Sequence, residues 1–376
     1  MDNVFIQNII TPYRNRFFCA LNKTDFEFSV YYMGYTEPDR NWDTSTIERQ
    51  YDNWVDTKGS FLKIGPFGGH INPRLVWKVL TDKSIKNIIL AVSWNDPNIM
   101  FIAIAKRLHL TTKKLHFWAE ANYTATWGDK QKSRIKWWLK RFVFNALDGV
   151  LIIPGRMSEI TFEKWKIKNK PFVFLPNTID DTSLHFQPNL RSNKDLPVFL
   201  MPIRVIERVK GGLNFFESIG KENVEKAVFI IAGDGEDKEK YTSYIDNNGF
   251  ESHIIMAGFC DSTKMSELYS KANAFVLPSF SDPSPLSLIE ALYFHLPVLC
   301  SDHCGNHFEA VEEGANGLTF SPLRPETIKM QFENFIRMKD KWAAMGERSA
   351  EIYKSRFNTE SVIKQFVADY SKYVLE

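Results

Sequence analysis

The chain has 376 residues, 44% of them hydrophobic and 24% charged, with a formal net charge of +2. That length exceeds what one hydrophobic core usually fills, so two domains are expected. The near balance of charge argues against nucleic acid as the main partner, because a strong phosphate binder usually carries a clear basic excess. Four scattered cysteines (Cys19, Cys260, Cys300 and Cys304) suit a reducing compartment and no disulfide framework.

The N-terminal residues lack the basic start, apolar run and cleavage site of a secretory signal. No stretch approaches about 18 uninterrupted apolar residues, so no membrane-crossing helix is expected and a cytoplasmic location is predicted. Short apolar runs then recur at residues 87–92 (NIILAV), 149–153 (GVLII), 171–175 (PFVFL), 198–201 (VFLM), 227–232 (AVFIIA) and 274–277 (AFVL). Each is too short for a helix, and helical patterns fill the intervals. Strands buried on both faces and joined by crossover helices read this way, which predicts α/β architecture with parallel sheets.

Residues 129–145 (DKQKSRIKWWLKRFVFN) place Ile135, Trp138, Leu139, Phe142 and Val143 at helical spacing among basic residues. A basic amphipathic helix of this kind suits an anionic membrane surface, with Lys136, Trp138, Lys140 and Arg141 as contacts. The alternative is that the stripe is core. Residues 177–196 lack periodicity and are rich in Asn, Asp, Ser and Pro, as an interdomain linker is.

Beyond the linker, four segments follow strands, where ligands of parallel sheets bind. The first, PIRVIERVKGG, puts Arg204 and Lys210 in one loop, a guanidinium fork and a mobile ammonium for phosphate oxygens. Two such contacts contribute about 1.5–3 kcal/mol each; a solvated basic loop is the alternative. The second carries Gly233 and Gly235, a weak strand-to-helix signal. The third carries Gly258 and Phe259, where backbone can approach a nucleobase. The fourth, residues 281–291 (SDPSPLSLIEA), opens a helix near Pro285, Leu286 and Ser287, whose free N–H groups and dipole attract an anion. Ser284 lies at its mouth, Asp282 precedes the helix and Glu290 lies within it. A capping role for Asp282 is the bland alternative. Residues 300–307 hold Cys300, His303, Cys304 and His307, but their spacing fits no common zinc site, and no metal is expected.

Together these residues resemble family 4 of the GT-B glycosyltransferases, the glycosyl transferases group 1. In that family a loop Arg and Lys six apart contact the diphosphate, here Arg204 and Lys210. An acidic-x7-Glu motif holds donor sugar and ribose, here Asp282 to Glu290. Gly305, Glu309, Gly314 and Gly317 match the run that follows, and PNTID at residues 176–180 matches the linker motif. Two departures stand out: Asp282 replaces the usual Glu, and Pro285 replaces a frequent Gly and removes one N–H.

The resemblance implies two Rossmann-like domains facing each other across a cleft. Residues 1–180 would form the acceptor domain and 181–356 the donor domain, with a helix at 357–376 crossing back onto the first. It implies a retaining, metal-independent transfer of a sugar from a nucleotide-diphosphate sugar, expected to be a UDP-sugar, without a cofactor. The implied acceptor is a glycan or a lipid-linked molecule at the inner membrane surface, as in bacterial surface-polysaccharide assembly. A nucleotide-sugar epimerase and a non-catalytic nucleotide-sugar binder stay open as alternatives.

In the first half, the family's Gly-rich loop is replaced by IITPYRNRFF, read as a loop at the cleft where Arg14 or Arg16 meets a phosphate. A surface arginine is the alternative. FWAEAN resembles a Trp-x-Glu variant of the family and puts Glu120, read as a buried carboxylate, near the reaction centre. Its role is to orient the acceptor hydroxyl or act as base, or else purely structural. Trp94, Asn95 and Asn122 are further candidates for the acceptor cleft.

Overall fold

The computed structural model describes residues 2–37, 47–64, 67–124, 134–167, 169–193 and 195–374. In the first half the strands are β1 (Asn3–Gln7), β2 (Phe28–Tyr32), β3 (Asn53–Val55), β4 (Ser60–Ile64), β5 (Phe67–Ile71), β6 (Asn87–Leu90), β7 (Lys114–Trp118), β8 (Leu151–Ile153) and β9 (Phe172–Phe174). The helices between them are α1 (Pro12–Leu21), α2 (Pro73–Thr81), α3 (Pro97–Arg107), α4 (Arg134–Ala146) and α5 (Arg156–Lys164). Seven strands form a sheet in the order β3-β2-β1-β6-β7-β8-β9, parallel throughout. Strands β4 and β5 stand apart as an antiparallel hairpin.

The second half contains β10 (Val198–Met201), β11 (Val228–Ala232), β12 (Ile254–Gly258), β13 (Ala274–Leu277), β14 (Val298–Ser301) and β15 (Gly317–Phe320). Its helices begin with α6 (Glu207–Lys210), α7 (Gly212–Ile219), α8 (Lys221–Val224), α9 (Lys238–Asn248) and α10 (Ser262–Lys271). They continue with α11 (Leu286–Tyr293), α12 (His307–Ala310), α13 (Pro325–Arg337), α14 (Trp342–Ile352) and α15 (Thr359–Val374). The sheet order is β12-β11-β10-β13-β14-β15, again parallel. Strand order reverses between β1 and β6 in one sheet and between β10 and β13 in the other, so each sheet opens a crevice at those carboxyl ends.

The strands are apolar end to end because both faces are covered. VFLM of β10, AFVL of β13 and VLCS of β14 are wholly buried. One core cluster wraps the second sheet, and two line the opposite faces of the first. The second of those two faces is completed by the far end of the chain: Val362, Ile363, Phe366 and Tyr370 of α15 pack with Phe17, Phe18 and Phe28. Burying such side chains contributes about 1.5–3 kcal/mol each, and Arg16 adds contacts to Glu360 of α15 and Asp181 of the linker.

Several local expectations differ. Residues 12–21 form α1, not a loop: Thr11 is extended, and Pro12 takes the first helical position, where its missing N–H costs nothing. Arg16 is therefore held by Asp181 and Glu360 and not at a phosphate. The 149–153 run starts as strand only at Leu151; Gly149 before it lies against the His116 ring, where a Cβ would sit 2.4 Å away. Among the described residues no helix is long and apolar enough to cross a membrane. Residues 129–133 of the basic stretch lie outside the described residues. In the rest of α4, Val143 is core, Leu139 and Phe142 are half-buried, and Ile135 and Trp138 are exposed.

Candidate active site

The donor-side crevice is built from the segments after β10, β11, β13 and β14. After β10 the chain runs through exposed Arg204 into α6, so Lys210 ends a helical turn and is not on a free loop. Gly211 follows at φ 60, the left-handed conformation that closes such a turn. Glu207, which the motif reading passed over, fixes this corner. Its carboxylate accepts from the amides of Leu213 and Asn214 at the start of α7, and from the Tyr241 hydroxyl at 2.6 Å. The only sequence clue to it was its place within PIRVIERVKGG. Gly233 has an equally local cause: a Cβ there would sit 2.0 Å from Ile203 O, so the strand end passes directly under the Arg204 loop.

The loop after β13 crosses over α6. The amides of Phe280 and Ser281 donate to Val209 O, and Lys210 Nζ reaches Asp282 Oδ2 at 2.5 Å. The backbone of Asp282 is fixed from β14: the Gly305 amide donates to Asp282 O at 2.7 Å, and a Cβ at Gly305 would collide with Pro283 O. Helix α11 then starts with Pro285 as its N-cap and with no side chain capping it. The amides of Leu286, Ser287 and Leu288 therefore face an uncapped helix end beside a lysine. Because Pro285 precedes these first-turn donors, its missing N–H is not one of them. Ser279 and Ser284 have buried hydroxyls without a partner among the described residues, which fits oxygens arriving with a ligand. Asn306 supports the cap through Pro285 O.

Glu290 lies on α11 and accepts from the Tyr269 hydroxyl at 2.8 Å; burial raises its pKa, and that bond opposes the rise. Gly258 closes β12 at φ 68, and Phe259 beyond it is 83% exposed. His303 and His307 each bond a backbone carbonyl, Phe280 O and Cys304 O, while Cys300 and Cys304 are buried.

Residues of the first half and the linker meet this crevice along its edge. Asn122 is buried and its amide donates to His303 O at 2.8 Å and Asp282 O at 3.3 Å, so it ties the two halves together, and it is not among the residues lining the first-half cavity. Glu120 is not buried, since its side chain keeps 30% exposure. It accepts from Arg14 at 2.8 Å and from Asn177 of the linker at 3.0 Å. Asn177 also approaches Ser284 O at 3.5 Å. Arg14 lies over the Trp118 ring, 3.7 Å from its centroid. Farther along the seam, Glu309 accepts from the Arg156 amide at 2.7 Å, at the N-terminus of α5. Burial raises the Glu309 carboxyl above its ordinary range.

Arg14, Trp94, Asn95 and Glu120 do meet, around a cavity of about 390 Å³ at the carboxyl ends of β1, β6 and β7. The β4–β5 hairpin, which no motif foretold, closes one side through Phe61 and His70.

Residues 183–352 match the family model Glycosyl transferases group 1. Similar curated proteins include the poly(glycerol-phosphate) alpha-glucosyltransferase of Bacillus subtilis, 27% identical over 48% of this chain and 26% of that protein. The lipopolysaccharide 1,6-galactosyltransferase of Salmonella typhimurium is 27% identical over 31% and 32%, respectively. The chain spans only about a quarter of the length of the first curated relatives it matches. Among solved structures, HepE of Anabaena in complex with UDP and glucose superposes with a TM-score of 0.73 over 99% of this chain and 100% of that one, at 17% identity. The fold is the GT-B fold.

Proposed function

We propose that this chain, which has the GT-B fold and matches the glycosyl transferases group 1 model over residues 183–352, transfers a sugar from a UDP-sugar to a glycan or lipid-linked acceptor in surface-polysaccharide assembly. The observation that carries the reading is the uncapped start of α11 beside the Lys210–Asp282 pair, at the point where strand order reverses. A diphosphate seated there gains negative charge as the glycosidic bond breaks. Arg204, Lys210 and the amides of residues 286–288 then stabilise that charge without a metal. Asp282 then meets hydroxyls of the donor sugar, Glu290 those of the ribose, and Phe259 the base. Attack from the face the leaving group vacates retains configuration, with the departing phosphate taking the acceptor proton. Glu120, fixed by Arg14 and Asn177, lies at the seam as a group that orients the acceptor. Helix α4 brings the protein to an anionic membrane, where such acceptors reside.

A thermal-shift screen of UDP-, GDP- and ADP-sugars identifies the donor, since binding to the folded state raises its melting point. Transfer of label from that donor to a glycan then separates a transferase from an epimerase or a binder. Binding without transfer to any acceptor would overturn the proposed reaction.

A further inference from the structure

A side-chain amide of the first half reaches into the loop that carries Asp282. Asn122 follows β7, and its Oδ1 accepts from the Thr124 amide at 2.9 Å and from the Thr124 hydroxyl at 2.7 Å. That fixes Nδ2 as the end facing the second half. The segment is also held from behind, because Ser158 Oγ accepts from the Ala121 amide at 3.0 Å and donates to Ala121 O at 2.9 Å. The two protons of Nδ2 go to carbonyls on different loops, His303 O after β14 at 2.8 Å and Asp282 O after β13 at 3.3 Å. These same carbonyls pair the two loops with each other. The Gly305 amide donates to Asp282 O at 2.7 Å, the Asp282 amide to His303 O at 3.4 Å, and Asp282 bridges Cys304 as parallel strands do. Asn122 thus closes this bridge from the opposite domain. Because Asn122 is buried, releasing either carbonyl would leave polar groups unpaired away from water, so the geometry is held. The Asp282 carboxylate itself meets Lys210, a contact for which an arriving diphosphate competes. Once the ammonium is shared, the backbone of Asp282 decides where its carboxylate points.

We propose that Asn122 is a positioning residue for the donor sugar. By holding Asp282 O and His303 O from the first half, it aims the Asp282 carboxylate at the sugar hydroxyls. The sugar is therefore held fully only when the two halves are together. The inference rests on the proposed role of Asp282 toward the donor, and it divides one ligand into two parts. The diphosphate and base meet groups that are not hydrogen-bond partners of Asn122, whereas the sugar meets the residue that Asn122 holds.

Calorimetry on the full chain with UDP, UDP-glucose, UDP-galactose and UDP-N-acetylglucosamine tests it, following the sugar nucleotide that the wild type binds most tightly. Asn122→Ala should weaken that UDP-sugar about fivefold or more, the equivalent of one or two lost hydrogen bonds. UDP itself should bind within about twofold of the wild type, which also reports a folded donor crevice. Asn122→Asp keeps the side-chain shape and the contacts to Thr124 but sets a carboxylate against the two carbonyls, and should show the same pattern. In an Asp282→Asn background, Asn122→Ala should change UDP-sugar affinity by less than about twofold, since a residue acting through Asp282 then has nothing further to aim. An amide that only joined the halves would give the same loss in both backgrounds. Unchanged UDP-sugar affinity in both Asn122 variants, a parallel loss of UDP, or an equal loss in the Asp282→Asn background would each overturn the proposal. A wild type that binds none of these nucleotides would overturn the transferase reading, and the positioning role with it.

Discussion

Lys210 Nζ and Asp282 Oδ2 lie 2.5 Å apart, joining the turn after β10 to the loop that opens α11. The two residues expected to meet different parts of the donor, phosphate and sugar, therefore also hold each other. An incoming diphosphate competes with Asp282 for the ammonium. Lys210→Ala should weaken UDP binding about 10- to 100-fold, the range of one charge-assisted contact. Asp282→Asn frees the lysine, so it should bind UDP at least as well as the wild type while losing sugar transfer. Calorimetry and transfer rates on the two single variants and the double variant read the coupling directly. Equal losses of UDP affinity in both single variants would contradict this division of labour.

Arg204 is exposed and makes no ion pair among the described residues. Its replacement therefore breaks no ion pair among the described residues. Arg204→Ala should lower turnover by about tenfold or more with no change in melting temperature. A melting point that falls along with activity would assign Arg204 a structural role instead.

The seam between the halves depends on close approach at Gly155, where an added Cβ would lie 2.5 Å from the Glu309 carboxylate. That carboxylate accepts from the amide of Arg156 and so caps α5 from across the interface. Gly155→Ala forces the carboxylate away and should cost about 1–3 kcal/mol as an overpacked contact. Small-angle scattering should show a more open chain, with turnover reduced and UDP affinity retained. An unchanged scattering profile with normal turnover would show that the seam tolerates the methyl group.

Stability should depend on pH through His116. Burial lowers its imidazole to about 4, and the ring bridges Asn87 Oδ1 and the Val150 amide. The unfolded chain takes up this proton near its ordinary value of about 6.5 and the folded chain only near 4, so between those values the unfolded state binds more protons. The contribution is complete above about pH 6.5 and is lost as pH falls toward 4, amounting to about 3 kcal/mol. The raised carboxyls of Asp96, Glu290 and Glu309 slope the other way. The measurement is therefore a difference: melting curves of the wild type minus those of His116→Gln, which keeps an acceptor for Val150. A difference that does not vary between pH 4 and 7 would remove His116 from the account.

How far these features could be read beforehand follows from how local their causes are. Val198–Met201 and Ala274–Leu277 were legible to the residue because a strand covered on both faces is apolar without a break. The segments carrying Arg204, Lys210, Asp282 and Glu290 were legible because the ends of parallel strands are where such side chains collect. Glu207, Asn177 and the contact of His70 with Glu37 were not, because each works at least in part through a partner far along the chain. Nothing in FLKI or FGGHI announces a hairpin that turns His70 toward Glu37. Glu120 was misjudged for the same reason: its exposure depends on how the linker at Asn177 sits, and no spacing within FWAEAN encodes that.

The membrane reading of α4 now has a narrower basis than its full amphipathic stripe. Val143 and Phe144 are core, and Lys140 lies over the Trp165 ring, while Ile135 and Trp138 are 71% and 60% exposed. Arg141 stacks on Trp137, and the neighbouring helix α3 exposes Phe101, with Leu108 exposed at its C-cap. Apolar area beside basic side chains binds anionic bilayers by burial plus charge, each cation near the surface contributing about 1 kcal/mol. Lys136→Glu with Arg141→Glu replaces two attractions by two repulsions, and so should reduce cosedimentation with phosphatidylglycerol vesicles by about thirtyfold or more. Because Lys140 is held by Trp165, adding Lys140→Glu should disturb the fold as well as binding, and is the poorer test. Trp137→Ser with Trp138→Ser removes burial without altering charge, so it should release the protein from neutral and anionic vesicles alike. Transfer to a soluble glycan should survive both double variants, since neither touches the crevice. If cosedimentation were unchanged in both, the exposed end of α4 would have to be covered by something other than lipid.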